Sequence, residues 1–418
     1  MTREIRALFS DKKVKQIGSL YVSMIISIIF GVIVSIVNTR LLGPESFGDY
    51  KFIQSVYAFF AIILAFGFLV TVGKLLAEKK NDSIRKELIG SSILILSIIG
   101  VIFIFSIFIF SFIQKSVFST DLSALLLILL PLFFFIPFLQ GLENIYQGEN
   151  RIYELSIFRV APQILYVSAV FFIYRYGRID LQTALITHLS TIGAVIILSI
   201  YFIKPSFKNL KSNIKYILHE NRLYGFNVYV GSVIGVASSQ FAPLAISFFS
   251  DSNTDVGYFS LALTITMPLA FIPTVAGTTM FKEFANRNAV SKKSTKITLL
   301  ISVFSLVMFV ILIKPVIIGL YSKRFLAVIN LTYIVAIGQV FYGFGNYYNR
   351  FLGSKGQGKS LRNGAIYVGL TNLIGYVILI PYYGATGAAI TQLISGLVFI
   401  ISMLYYYSKF RKDKLLKI

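Results

Sequence analysis

No cysteine occurs in the chain, which excludes disulfides, thiolate nucleophiles and thiolate metal sites. Histidine appears only twice, so no transition-metal cluster can be assembled either. Acids are scarce as well: all 17 fall in loops or at the ends of apolar runs, and Glu143 comes nearest to lying inside one. Charged residues make up 13% of the sequence, too few for an ordinary soluble domain. There is no P-loop, no HExxH and no paired-carboxylate constellation, so no self-contained ATPase or metalloprotease is encoded. We assign no catalytic residue, no metal site and no organic cofactor.

What fills the chain instead is apolar. Of its 418 residues 56% are hydrophobic, and the mean hydropathy is +0.78. A bilayer core needs about 20 apolar residues per helix. On that measure the chain is an all-α polytopic membrane protein with about twelve spans: 17–39, 52–73, 88–112, 122–142, 156–175, 181–203, 224–248, 256–280, 297–320, 325–346, 363–381 and 385–407. The 39 Phe and 25 Tyr are spread through these spans, many near the interfaces where aromatic belts form. The start, MTREIRALFSDKKVKQIGS, is basic but leads into a full-length span without a small-residue cleavage site, so it reads as a retained first helix.

The net charge of +22 does not mark a nucleic-acid partner, because the bases sit in short clusters between spans. Thirty-one of the 39 lysines and arginines fall in the N-terminus, the C-terminus and segments 74–86, 143–159, 204–222, 281–296 and 347–362. By the positive-inside rule these face the cytoplasm, and both termini with them. The intervening loops, LLGPESFGDY (41–50) among them, then face outward.

The chain repeats itself. PESFGDYKFIQS and SDSNTDVGYFSLAL align on Gly48 and Gly257, which are 209 residues apart. At about the same offset GKLLAEKKNDSIRK faces FKEFANRNAVSKKSTK, YQGENR faces GQGKSLR, and RYGRIDLQTA faces YYGATGAAIT. Each half holds six spans, an even number, so both halves enter from the same side. The expected architecture is two parallel six-helix lobes, 1–208 and 209–418, around a central cavity. That is the layout of a transporter.

Span 1 carries Ser19, Ser23, Ser27, Gly31 and Ser35 at i, i+4 spacing, and span 7 repeats the pattern with Asn227, Gly231, Gly235 and Ser239. Such a ridge either packs helices closely or lines and slides along a cavity. Prolines 131, 137, 162, 243, 268 and 273 fall within spans; the pair in span 8 is the best-placed hinge, against the alternative of a static kink. Four bases approach the membrane: Arg159 early in span 5, His188 in span 6, Lys314 late in span 9 and Lys74 at the inner end of span 2. Intramembrane ionisable groups are costly and usually work or pair. Bases without acids in a cavity favour an anionic substrate such as a phosphate or pyrophosphate head group. Snorkelling is the commoner role for the two lysines and hydrogen-bonded packing for a lone His188, and Arg159 reads also as an ordinary cytoplasmic base one turn inside its span. Neutral groups that suit sugar hydroxyls include Asn38, Gln140, Gln163, Asn227, Gln240, Gln339, Asn346, Asn372 and Gln392, although taken one by one interhelical hydrogen bonding is their commoner role. The candidate cavity set is thus Arg159, His188, Lys74, Lys314, Asn227, Gln240, Gln339 and Asn372.

Three stretches carry a family resemblance. NTRLLGPESFGDYKFIQS resembles the first outer loop of polysaccharide-transport flippases, with an R-hydrophobic-LG-x-x-x-aromatic-G-x-aromatic pattern. IPYYGATGAAITQLISG is similar to the same family's turn between its last two spans, and YQGENRIYEL to its loop after span 4. That family belongs to the multidrug/oligosaccharidyl-lipid/polysaccharide exporter superfamily. The resemblance covers essentially the whole chain. It implies a flippase of the bacterial inner (cytoplasmic) membrane that moves undecaprenyl-pyrophosphate-linked oligosaccharide repeat units by alternating access, for O-antigen, capsule, lipopolysaccharide or a related surface glycan. Coupling to proton, sodium or membrane potential comes with it, as do membrane lipids, a glycan polymerase and a chain-length regulator as partners. Span 1 has no mid-membrane arginine, unlike the related peptidoglycan-precursor flippases. A proton- or sodium-coupled multidrug antiporter of the superfamily and a membrane glycan polymerase are the alternatives; the first needs a buried carboxylate, the second a large outer loop.

Overall fold

The computed structural model describes residues 12–79 and 81–415; the chain ends, on which the expectations for the first helix and for both termini rest, lie outside the described residues. No strand occurs among them. Fourteen α-helices follow one another: α1 Lys12–Ile63, α2 Phe68–Glu78, α3 Asp82–Val117, α4 Ser123–Phe133, α5 Ile136–Gly148, α6 Ile152–Tyr176, α7 Leu181–Ile203, α8 Leu210–Glu220, α9 Phe226–Phe249, α10 Thr254–Thr279, α11 Phe281–Asn286, α12 Lys292–Val316, α13 Val328–Ser354 and α14 Gly358–Leu415. Among the described residues nine are long and apolar enough to cross a membrane. Two of the nine are double-length, each broken by one glycine: α1 at Gly43 (φ 73°) and α14 at Gly384 (φ 52°). With α9, whose described apolar part is Gln240–Phe249, each of the twelve expected spans overlaps helix, although 52–73 is interrupted by a turn at residues 64–67.

The largest departure from the expected boundaries is at LLGPESFGDY. It was expected as an outer turn before a span at 52–73, yet helix resumes at once after Gly43 and runs to Ile63. Gly43 takes the left-handed backbone that glycine adopts at no steric cost, and Pro44 opens the next arm with its fixed φ. The reversal therefore needs one residue. Phe47, Gly48, Asp49 and Tyr50 are all buried, while Glu45 stays exposed. Span 4 is split between α4 and α5 at Phe134 and Phe135, with Pro137 in the first turn of α5, where a missing N–H costs nothing. Across Pro268 and Pro273, by contrast, α10 stays one continuous helix.

The chain forms two compact units. The first comprises the chain up to Leu42, Tyr57–Val117 and Asp121–Ser232. Within it α3 packs on α4 and α5, α2 on α5, and α6 on α7. α8 lies against the start of α3, where the Ser206 N–H donates to the Lys86 carbonyl (3.0 Å) and Asn209 Nδ2 to Glu87 (3.0 Å). A five-residue π-helical turn, Asn221–Gly225, leads from α8 into α9. It is locked to α2: Thr71 Oγ1 donates to Asn221 Oδ1 (2.9 Å), and Asn221 Nδ2 donates to the Phe66 carbonyl (3.0 Å). In lipid, packing and such interhelical hydrogen bonds hold helices together, because hydrophobic transfer gives no preference there.

The second unit comprises Gly43–Val56, Phe118–Thr120 and the chain from Val233 on. Its frame is α10, α13 and α14. Phe284, Tyr347, Phe351, Phe399 and Met403 form a buried aromatic cluster at the basic end, flanked by Tyr407 and Phe410. At the opposite end the two glycines paired by the repeat touch: a Cβ on Gly257 would stand 3.0 Å from both the Cα and the N of Gly48.

At the α3–α4 turn the Lys115 ammonium lies 2.9 Å from Asp121. The Ser123 hydroxyl, then Lys115 and the Ser123 backbone N–H, hold the Asp121 carboxyl down to about 2. Its folded value lies below that of the unfolded chain, about 3.9. The turn's stabilisation is therefore complete above about pH 4 and lost as the pH falls through about 2. Asp121→Asn should flatten the acid limb of thermal midpoint against pH between those values; an unchanged limb would show that the turn contributes nothing.

Candidate functional site

Four helical arms of the first unit place polar groups around one buried point. The first arm of α1 supplies Asn38 (1% exposed), its second arm Tyr57, α6 Tyr166 (0% exposed), and α7 His188. The Tyr166 hydroxyl donates to Asn38 Oδ1. His188 Nε2 lies 3.4 Å from the Tyr57 hydroxyl, and its ring meets the Tyr166 ring edge-on with centroids 5.4 Å apart. Asn38 Nδ2 and Gln163 Oε1, one turn before Tyr166, are buried with no hydrogen-bond partner among the described residues. Buried polar groups are normally satisfied, so unused donors and acceptors at one place mark a site able to accept a polar ligand.

Nearer the basic end, Arg159 on α6 and Glu143 on α5 form a two-pronged pair, Nε to Oε1 at 3.0 Å and Nη2 to Oε2 at 3.1 Å, with both side chains about a third exposed. Two of the charges that the sequence brings close to a span are thus each other's partners. Sequence spacing gave no sign of this, since sixteen residues and a chain reversal separate the two. Lys74, on α2, is held by Glu220 (3.3 Å) and Glu78 (3.7 Å) and lies over the Tyr224 ring at 5.0 Å. The hydrogen bond to Glu220 raises its ammonium above the ordinary lysine value. Lys314 stands exposed near the end of α12 beside exposed Ile311 and Leu312, the surroundings of a snorkelling lysine.

The neutral candidates separate. The Asn227 side chain lies outside the described residues, and Gln240 is half-buried on α9. Gln339 (9% exposed) sits on α13 and Asn372 (5% exposed) on α14, with Asn372 Oδ1 lacking a partner among the described residues. The Tyr376 hydroxyl donates to Gln392 Oε1 across the α14 break (3.4 Å). At Gly31 no atom of the described residues lies within 4 Å of where a Cβ would stand. The structure therefore gathers His188 with Asn38, and Arg159 with Glu143, and leaves Lys314 apart. Tyr57, Tyr166, Glu143 and Glu220 were missed as partners; a tyrosine among 25 carries no signal in sequence until folding gives it a neighbour.

Comparison with known proteins bears on what such a site serves. The family model described as "Polysaccharide biosynthesis protein" matches residues 14–281. This chain belongs to that family. An uncharacterized membrane protein of Methanocaldococcus jannaschii is 21% identical, with 98% of this chain and 86% of that protein covered. Among solved structures, the lipid II flippase MurJ in an inward closed conformation matches with a TM-score of 0.74 at 20% identity, over 95% of this chain and 90% of that one. A multidrug resistance MATE family transporter of the MOP superfamily, inward-facing, matches with a TM-score of 0.70 at 18% identity, over 95% and 99%. These likenesses establish the fold. The family member described here is a multi-pass membrane protein with the fold of the MOP-superfamily transporters.

Proposed function

We propose that the chain is a flippase that carries a polyprenyl-pyrophosphate-linked oligosaccharide across the cytoplasmic membrane by alternating access between two lobes, 1–208 and 209–418. The observation that carries the reading is the family match, which ties a transporter fold to polysaccharide biosynthesis. The 209-residue repeat supports a two-lobe design. In this reading the basic loops face the cytoplasm and the polyprenyl tail stays in lipid. Arg159 and Lys74 offer charge to the pyrophosphate, while Asn38, Gln163 and His188 offer hydrogen bonds to sugar hydroxyls. The carrier in bacteria is undecaprenyl, and the product would pass to a polymerase and a chain-length regulator building O-antigen, capsule or a related glycan.

Deleting the gene from its host and following labelled repeat units tests the proposal. Lipid-linked units should accumulate in the inner leaflet and surface glycan should be lost. Repeat units reaching the outer leaflet at the normal rate would sink it. Reconstitution under imposed pH, sodium or electrical gradients reads which of the three drives transport. The multidrug antiporter reading rests on the MATE-like fold; efflux of cationic drugs with surface glycan intact would favour it.

A further inference from the structure

The two ends of α14 enclose a cavity of about 500 Å³ at the basic end of the second unit. Lys359, Ser360 and Asn363 line it from the first turns of the helix, and Tyr406, Lys409 and Asp413 from the last. Asn363 Nδ2 donates to the Tyr406 hydroxyl (3.0 Å), which fixes that wall. Ser360 is 8% exposed at the back, while Lys359 and Lys409 stand exposed at the rim. Two ammonium groups face one carboxylate, so the cavity carries an excess positive charge. Its chemistry is that of a site for a phosphate-bearing anion.

What surrounds the cavity tells which anion. Tyr367, Leu370 and Ile374 form an exposed stripe on the first arm of α14, running away from the basic end. Leu397, Ile401 and Tyr405 form another on the second arm, running the same way from Lys409. A polar, cationic cavity continued by two apolar, membrane-depth stripes matches a head group with its acyl chains. Basic pockets between membrane helices on the cytoplasmic side take up anionic lipid head groups in this manner. We propose that the cavity binds an anionic phospholipid, its phosphodiester between Lys359 and Lys409 and its acyl chains along the two stripes. The site is formed within one unit and stands whether or not the chain flips an oligosaccharide.

The test uses the full chain purified in phosphatidylcholine nanodiscs, titrated with phosphatidylglycerol and read by native mass spectrometry. Each lysine should contribute about fivefold to affinity, the worth of one base near an anionic surface. K359Q and K409Q should each weaken phosphatidylglycerol binding by that factor. Ser360→Leu, which fills the cavity without changing charge, should weaken it too, and K412Q, outside the lining, should not. Equal loss in K412Q would mean diffuse attraction and overturn the site, as would wild-type binding by K409Q or Ser360→Leu. Competition by inorganic phosphate at the same concentration would identify a soluble ligand and overturn the lipid assignment.

Discussion

Gly48→Ala should remove most folded protein from the membrane. A Cβ there would stand 1.9 Å from the Asn253 carbonyl oxygen, 2.4 Å from its carbon and 3.0 Å from the Thr254 nitrogen. These are backbone atoms, so no side chain can swing aside. Asn253 cannot retreat either: it is fully buried, and its Nδ2 donates to Asp49 Oδ1 and Thr120 Oγ1, each at 2.8 Å. Overpacking costs about 3 kcal/mol when nothing yields, a large part of a domain's stability. Size-exclusion traces and thermal midpoints of a fluorescent fusion check this. Gly257→Ala, whose contacts begin at 3.0 Å, should be milder, and Gly31→Ala, which meets nothing within 4 Å, should be neutral. A wild-type midpoint for Gly48→Ala would show that the close approach of Gly48 to the Asn253–Thr254 backbone does not exist in the membrane.

The second large effect is expected at the Glu143–Arg159 pair. Removing Arg159 leaves a carboxylate at the membrane's edge with its two-pronged partner gone. With both groups about a third exposed, water screens part of that penalty, so the loss of stability should be about 1 kcal/mol. Transport should suffer more. A charge-assisted contact to a pyrophosphate is worth about 2 kcal/mol, so Arg159→Ala should slow flipping about thirtyfold. The double variant Glu143→Ala, Arg159→Ala separates the roles. It should regain the thermal midpoint, because no charge is left unpaired, yet stay slow. Recovery of transport along with stability would make the pair a structural clasp and move the substrate contact elsewhere. His188→Ala read in the same assay should impair flipping while leaving insertion intact.

Both predictions rest on contacts that are written unevenly in the sequence. Gly48 and Gly257 stood out as a repeat, but nothing in either stretch said that they touch. LLGPESFGDY has the letters of a loop; Gly43 alone makes the turn, and the remainder is helix, buried from Phe47 to Tyr50. Pro268 and Pro273, the expected hinge or static kink, both lie within the continuous helix α10. In a membrane helix neighbouring groups can absorb a proline, and one-dimensional spacing does not register neighbours.

The sequence by itself determined the class of this protein: an all-helical chain whose long apolar runs cross a membrane. That class is a property of composition and of order along one chain, because a bilayer selects for helix length and apolarity whatever the helices touch. Only the tertiary structure decided which groups meet. His188 found Tyr57 and Tyr166, Arg159 found Glu143, and Lys74 found Glu220, across separations of 16 to 146 residues. Pairings of that kind depend on which helix faces pack together, and packing in lipid turns on shape and hydrogen bonds that no linear pattern encodes.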